Sequence, residues 1–209
     1  MKKTILTCAT AGILMATPVI AEVTGNAAVS SNYIWRGFTQ TVNDIAVSGG
    51  LDYSNDSGVY AGIWASNVDF RSDADVEVDV YGGITGDFND DISWDIGLLT
   101  YNYPGAKGRF DEVYAGVGYG VFSFTYFVGV DIRADEVGNY AQIGADFEIG
   151  ELGLSLHAGN YDYDSGADIT DYKIAVSKDI SGYGVEFAIS DSDAVKTKTD
   201  FTLTVSTGF

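Results

Sequence analysis

Few side chains in this sequence could do chemistry, and most of those are carboxylates. The single histidine, His157, follows Ser155 by two residues, a pairing that completes no catalytic set but could join a nucleophile to a base. Carboxylates two apart, such as Glu77 and Asp79, could in principle divide acid and base roles. Residues two apart on a strand share a face but rarely form the hydrogen bond that a nucleophile and its base require. The sequence therefore predicts no catalytic residues and no enzyme.

The segment 160–168 is acidic enough to suggest a calcium loop. It matches no full set of calcium-ligand spacings. A solvated loop that shares divalent ions with lipopolysaccharide explains the same residues more simply. No metal site and no cofactor are predicted.

Charge and composition exclude two further classes. The formal net charge is −19, and such an acidic chain would repel the phosphate backbone of nucleic acid. Hydrophobic residues make up 46% of the chain and aromatic residues 13%, which is ample material for a folded protein rather than a disordered one.

Residues 1–21 have the pattern of a cleaved secretory signal peptide. A basic start at Lys2 and Lys3 precedes the apolar run 4–20, and small residues end it at Ala21. A membrane-anchoring helix is the alternative, but the apolar core is short for one. Cleavage would remove the single cysteine, Cys8, and two lysines but no acid, so the net charge would become −21. The mature segment 22–209 suits one domain.

Strict alternation of apolar and polar residues recurs after the signal, and sustained helical periodicity does not. Phe122, Phe124 and Tyr126, for example, alternate with Ser123 and Thr125. This pattern predicts an all-β protein with about twelve strands. The predicted segments are 22–36, 44–54, 58–67, 75–87, 91–103, 110–120, 121–133, 138–149, 152–163, 169–179, 182–191 and 198–209.

The connections between these segments alternate between tight and longer along the chain. Tight links are rich in Asn, Asp, Ser and Gly, as hairpin turns are. A single antiparallel transmembrane β-barrel has this property, with short periplasmic turns and longer extracellular loops. An even strand count would place both termini in the periplasm of a bacterium with an outer membrane.

Aromatic residues cluster at segment ends, which also favours a membrane barrel. Tyr33, Trp35, Trp94, Tyr101 and Tyr161 are examples, and the pattern predicts two girdles at the membrane interfaces. A soluble β-sandwich or a lipocalin-like barrel would bury its apolar faces and would need fewer and shorter strands. The barrel in the outer membrane, in contact with lipid and lipopolysaccharide, is the favoured interpretation.

The last ten residues form a strand that ends on an aromatic carboxyl terminus. Phe201, Leu203, Val205 and Phe209 share one face, and small or polar residues occupy the other. A closed barrel needs such a last strand, which must pair with the first so that no edge faces lipid. The stretch resembles the terminal assembly signal of outer-membrane barrels, which implies the barrel-assembly machinery as a partner.

A family resemblance lies in residues 31–40, which read SNYIWRGFTQ, and in residues 58–68, which read GVYAGIWASNV. These stretches resemble the TorF-type porins of proteobacteria, most clearly over 23–84. The resemblance implies an outer-membrane barrel and a channel, with no catalytic residues to transfer. From the residues themselves, Tyr33 and Trp35 would form an outward girdle pair at a barrel corner. Arg36 would then point into the mouth.

If the aliphatic face of each strand meets lipid, the opposite face lines a lumen. A Lys or Arg on the lipid face at mid-bilayer would cost about 2–4 kcal/mol, which supports this assignment. The inferred lining is mainly acidic, with small glycines between the charges that would leave room for water. Its charged members are Arg36, Asp52, Glu77, Asp79, Asp95, Glu112, Asp131, Arg133, Asp146, Glu148, Lys173 and Glu186.

These features predict a passive channel for small ions and hydrophilic solutes that prefers cations. Two alternatives stay open. The interior charges could pair with one another and fill the lumen, or the barrel could be non-conducting and bind a partner through its loops.

Overall fold

The structure is a computed structural model that describes residues 22–106, 109–130, 138–163, 167–194 and 198–209. The predicted signal segment 1–21 and the predicted lining residues Asp131 and Arg133 lie outside the described residues. Within these ranges no helix is both long and apolar enough to cross a membrane.

Strands account for most of the described residues. In chain order they are β1 (Glu22–Ser30), β2 (Ile34–Trp35), β3 (Phe38–Thr39), β4 (Ala46–Ser54), β5 (Val59–Asn67), β6 (Val76–Asn89), β7 (Ile92–Asn102), β8 (Arg109–Tyr119), β9 (Phe122–Gly129), β10 (Asn139–Ile149), β11 (Leu152–Asp162), β12 (Ile169–Ile180), β13 (Tyr183–Ser192) and β14 (Asp200–Gly208).

Twelve of these strands form one closed antiparallel barrel, and β2 and β3 form a separate small hairpin. Each barrel strand pairs with its neighbours in sequence, and β1 closes the ring by pairing with both β14 and β4. The predicted all-β class and the twelve-stranded antiparallel barrel are confirmed. The first predicted strand, 22–36, is too long, because β1 ends at Ser30 and the chain then turns inward.

The two faces of the barrel wall differ in character. On β9, Phe122, Phe124 and Tyr126 point outward and are exposed, whereas Thr125 and Phe127 point inward and are buried. The same alternation holds along the other strands, so an almost continuous apolar surface covers the outside of the barrel. A patch of this size in water marks an interaction surface, and on a closed barrel it is the surface that meets lipid.

The carboxyl terminus completes the closure of the barrel. Gly25 and Phe209 exchange two backbone hydrogen bonds, of 2.7 and 2.9 Å, beyond the paired residues Asn26 and Gly208. The Phe209 ring lies over Gly25, where a Cβ atom would come within 2.7 Å of its Cζ. The side chain of Phe209 is 78% exposed and points outward, like those of Phe201 and Leu203.

Short and longer connections alternate between these strands. The short ones include the pairs 120–121, 150–151 and 181–182, where Gly120, Gly150 and Gly182 have positive φ angles. Because neighbouring strands are antiparallel, the short connections share one end of the barrel, here called the short-turn end. The longer ones share the opposite end, here called the long-loop end.

Aromatic side chains differ between the two ends, although Tyr172 and Phe201 point outward near the long-loop end. At the short-turn end they point outward and form one belt, made of Tyr53, Phe88, Trp94, Tyr119, Phe122, Tyr183 and Phe209. At the long-loop end Tyr101 and Tyr161 are buried inside the barrel. Their assignment to an outward girdle is wrong, because they pack against the segment that follows β1.

Candidate functional site: a hairpin folded into the barrel

The segment 31–45, which joins β1 to β4, folds into the barrel instead of projecting from it. Its tip is the β2–β3 hairpin, whose turn residues Arg36 and Gly37 have φ angles of 47° and 81°. A Cβ atom on Gly37 would lie 2.7 Å from Cβ of Ser192 and 2.8 Å from Cβ of Asp171. Both the positive φ and this close approach require glycine, so the tip is built to press against the wall formed by β12 and β13.

Hydrogen bonds hold the base of this segment at the long-loop end. The amide of Ser31 donates to the carbonyl of Leu203, and the amide of Asp69 donates to the carbonyl of Gln40. Within the segment, the side-chain amide of Asn32 donates to Asn43, and its oxygen accepts from Thr41, which is buried. These bonds fix where the chain enters and leaves the barrel.

Arg36 makes the densest set of contacts in the lumen. Its Nη1 and Nη2 atoms donate to the two carboxylate oxygens of Glu112 at 2.7 and 2.8 Å. Its guanidinium also lies over four aromatic rings, with distances from Cζ to the ring centroids of 4.4 Å for Trp35, 5.0 Å for Phe127, 4.0 Å for Tyr140 and 5.3 Å for Tyr161. The Arg36 side chain is only 7% exposed and that of Glu112 is fully buried.

A buried pair of this kind holds a segment in place. Removing one partner from a buried ion pair costs about 3–5 kcal/mol, because the other charge is left without compensation. The bidentate geometry and the stacked rings favour arginine over lysine at this position. Arg36 therefore holds the hairpin against β8 inside the lumen.

The aromatic residues before Arg36 reach other parts of the wall. Tyr33 donates a 2.7 Å hydrogen bond to Glu77 and packs edge-on against Trp64, with ring centroids 5.4 Å apart. Trp35 packs edge-on against Tyr101 and Tyr161, at 5.7 and 6.4 Å. The interpretation of Tyr33 and Trp35 as an outward girdle pair is wrong, because polar partners and rings for both lie inside the barrel.

Within the described ranges, every residue of the inferred lining occupies an inward-facing position of its strand, except Arg36, which is on the hairpin. Several acids there are bonded to neutral groups: Asp52 accepts from Asn26 and Tyr81, and Asp95 accepts from Tyr60 at 2.7 Å. Lys173 and Glu186 form an ion pair at 2.8 Å. The structure thus brings Arg36, Glu77, Asp79 and Glu112 together at the hairpin. It holds the other charges at separate points on the wall, namely Asp52, Asp95, Asp146, Glu148, Lys173 and Glu186.

Asp79 differs from the other acids. It is 8% exposed, and within the described residues its Oδ1 atom has no hydrogen-bond partner. It lies opposite Trp64 on β5 and Tyr101 on β7. Burial without a hydrogen-bond partner disfavours the charged form of a carboxyl, so fixed negative charge in the lumen is better assigned to exposed acids such as Asp146 and Glu148.

Asp171 is an inward acid that the sequence reasoning missed. Its Oδ1 atom lies 3.0 Å from Nε2 of His157, and its Oδ2 atom accepts a 2.8 Å hydrogen bond from Tyr140. Its position two residues before Lys173 on β12 places it on the same face, and that spacing was the available signal. These hydrogen bonds give Nε2 of His157 a structural role beside Tyr140.

Several inward glycines are covered by tyrosine rings. A Cβ atom on Gly97 would lie 2.5 Å from the Tyr114 hydroxyl, and one on Gly83 would lie 2.7 Å from Cζ of Tyr60. The expectation that Gly83 and Gly97 leave room for water is therefore wrong, since the missing side chains accommodate rings. The hydroxyls of Tyr60 and Tyr114 are themselves hydrogen-bonded, close to Asp95.

The two ends of the lumen differ in packing. Near the hairpin, Glu77, Glu112, Thr125 and Tyr140 are almost completely buried. Towards the short-turn end, inward residues such as Asp146, Glu148 and Asp179 are exposed. The interior is therefore closely packed around the hairpin, and the short-turn half is accessible to solvent on the side of β10 and β12, although Asp95 and Ser206 in that half are buried.

An open groove of about 410 Å³ remains beside the hairpin at the long-loop end. Its lining consists of Gly37, Phe38, Thr39, Asn43, Lys198, Thr199 and Asp200. The groove lies between the hairpin and the start of β14, so on this side the hairpin does not fill the cross-section of the barrel.

The acidic segment 160–168 is described only outside residues 164–166. In the described ranges no group of three or more His, Cys, Asp or Glu side chains is placed to hold a metal ion. In these ranges Arg36 and Lys173 form ion pairs with interior acids, and the His157 ring lies next to Asp171.

Comparison with solved structures identifies the fold type. The KdgM porin is 8% identical, with a TM-score of 0.64 over 89% of this chain and 98% of that one. KdgM in complex with disordered oligogalacturonate is also 8% identical and has the same score over 90% and 99%. A structure from a study of in-meso crystallization of membrane proteins is 9% identical, with a score of 0.58 over 89% and 83%. At these identities the likeness shows a porin-like barrel fold and nothing finer.

At the level of sequence, no curated protein matches the chain. The family model described as "Bacterial protein of unknown function (Gcw_chp)" matches residues 16–208, which is nearly the whole chain. The chain therefore belongs to the Gcw_chp family of bacterial proteins.

Proposed function

We propose that this protein is an outer-membrane channel for the passive diffusion of small hydrophilic solutes, with a preference for cations. The observation that carries the proposal is the separation of the two wall faces on a closed twelve-stranded barrel. The outward face is apolar and exposed, and the inward face carries charged and hydrogen-bonding side chains. That combination suits a wall between lipid and water.

Cation preference follows from the charges on the inward face. Arg36, His157 and Lys173 are each paired with an acid, whereas the exposed Asp146 and Glu148 add negative charge. Fixed charge of one sign enriches the opposite ion in a narrow passage. The solved KdgM complex holds an oligogalacturonate, but the acidic wall here disfavours acidic sugars.

The membrane orientation belongs to the same proposal. We place the short-turn end and both termini in the periplasm and the hairpin end at the cell surface. Residues 1–21 would direct export and be cleaved after Ala21, and Phe209 would be recognised by the barrel-assembly machinery. The motif 31–40 and the strands that follow it support kinship with TorF-type porins.

A second candidate, a non-conducting barrel with a structural or loop-binding role, is favoured by one observation. The hairpin fills much of the lumen and is fixed there by the Arg36–Glu112 pair. A barrel closed in this way would still insert into lipid, but it would carry no current.

Recording from refolded protein in a planar bilayer separates the two candidates. Insertion is verified first, by the shift in gel mobility between heated and unheated samples. Discrete current steps, together with a reversal potential that favours potassium over chloride in a KCl gradient, are expected for the channel. Verified insertion with a silent bilayer would reject the channel and leave the second candidate.

A further inference from the structure

The recess that Arg36 occupies has the chemistry of a ligand site. We infer that the barrel wall around Glu112 binds guanidinium-type cations, and that Arg36 fills this site as an intramolecular ligand. The site, here called the guanidinium site, consists of Glu112, Tyr101, Phe127, Tyr140 and Tyr161. The inference deepens the proposed function and rests on it in one respect, because a solute would reach the site through the lumen.

The carboxylate of Glu112 selects a planar cation with two parallel N–H donors. Its two oxygens accept from Nη1 and Nη2 of Arg36 at 2.7 and 2.8 Å. An ammonium group is a point charge and cannot satisfy both oxygens in this arrangement. A neutral urea has the right shape and lacks the charge. The geometry therefore favours guanidinium over both.

Three of the rings around the guanidinium belong to barrel strands. The centroids of Phe127, Tyr140 and Tyr161 lie 5.0, 4.0 and 5.3 Å from Cζ of Arg36. Ring faces at this distance attract a cation, and more strongly where water is excluded. Because these rings are on β9, β10 and β11, they stay in place when the hairpin moves. The fourth ring, that of Trp35, moves with it.

Contacts independent of Arg36 hold the site in its binding geometry. Tyr101 donates a 3.1 Å hydrogen bond to Oε2 of Glu112. The hydroxyl of Tyr140 donates to Asp171, and its ring packs against that of Phe127 at 6.1 Å. A site whose groups are already oriented loses less freedom on binding than one that must assemble.

The hairpin tip is attached in a way that permits exchange. The backbone hydrogen bonds that join segment 31–45 to the rest of the described barrel lie at its base, at Ser31 and Gln40. Apart from the close approach of Gly37 to Asp171 and Ser192, the tip meets the wall through side chains, chiefly Arg36 on Glu112 and Tyr33 on Glu77. Release of the tip would break no bond of the barrel ladder, so a guanidinium solute can compete with Arg36 for Glu112.

The test uses the full-length protein refolded in detergent and titration calorimetry with three probes. Arg36→Ala empties the site. This variant is expected to bind methylguanidinium about tenfold more tightly than methylammonium and to give no heat with methylurea. Wild type should bind methylguanidinium more weakly than Arg36→Ala. The double variant with Glu112→Gln is the control and should lose binding. Equal binding of methylammonium, or binding unaffected by Glu112→Gln, would overturn the inference.

Arg36→Ala leaves Glu112 buried without its partner, so the folding of this variant is measured separately. If the variant shows no heat-dependent gel mobility, it is refolded with each probe at equal concentration. Methylguanidinium should restore the folded band and methylurea should not. No difference between the two would overturn the site. If the protein binds methylguanidinium but carries no current, the channel is rejected and the guanidinium site is supported. If it carries current but does not bind methylguanidinium, the channel is supported and the guanidinium site is rejected.

Discussion

Charge at single residues decides which ion the lumen would favour. Glu77 and Asp79 lie two apart on β6, beneath the hairpin, and Asp79 has one oxygen without a partner in the described structure. Parity along the strand predicted their inward direction from the sequence. It could not predict the partners, because Tyr33 reaches Glu77 from a segment that the alternation had assigned to a strand.

Neutralising these two acids should therefore weaken cation preference. In a KCl gradient at alkaline pH, Glu77→Gln with Asp79→Asn should move the reversal potential towards zero, because burial disfavours the charged form of both carboxyls and alkaline pH restores the charge that the variant removes. The control is Asp73→Asn with Asp75→Asn, which removes the same charge from an exposed loop. A shift as large in the control as in the β6 variant would contradict the assignment. The Debye length of about 8 Å at physiological salt means that the contrast should grow on dilution.

Individual elements show where sequence patterns succeed and where they fail. The strands from β4 to β14 lie within a few residues of their predicted bounds, because each has an apolar outward face that alternation reveals. The hairpin escaped prediction because Tyr33, Ile34, Trp35 and Arg36 alternate as a strand would. Only contacts with distant residues, such as Glu112 and Asp171, turn that stretch inward.

The last strand provides a test at this scale. Phe201 and Phe209 point outward alike, but only Phe209 ends the chain and bonds to Gly25 at the seam. Deleting Phe209 should reduce insertion far more than Phe201→Ala does, since it removes two closing hydrogen bonds as well as a proposed recognition residue. Heat-dependent gel mobility of membrane fractions measures this. Equal insertion of the two variants would contradict the role given to the terminus.

At the scale of the whole molecule, the barrel has two unlike ends. The short-turn end has an outward aromatic belt and a partly solvent-accessible interior, and the long-loop end has inward aromatics and the hairpin. The alternation of connection lengths was visible in the sequence. The inward direction of Tyr101 and Tyr161 follows from strand parity, since β7 and β11 continue past them, but clustering at segment ends indicated an outward girdle.

The proposed orientation can be tested on intact cells. Epitope tags inserted in 68–74 should bind antibody from outside, because that segment is at the long-loop end. Tags in 55–57 should bind only after the outer membrane is permeabilised. Labelling of 55–57 on intact cells, with a periplasmic marker protein still protected, would reverse the assignment.

The most direct test of the account is single-channel conductance with and without the hairpin tip. Residues 34–39 are replaced by two glycines, which leaves the base of the segment and all twelve barrel strands intact. Shortening the exposed stretch 104–106 is the control, and folding of each variant is checked by heat-dependent mobility. The tip deletion is expected to have a larger conductance than wild type, and the control an unchanged one. A tip deletion that inserts, conducts and matches the wild-type conductance would contradict a hairpin that sets the constriction.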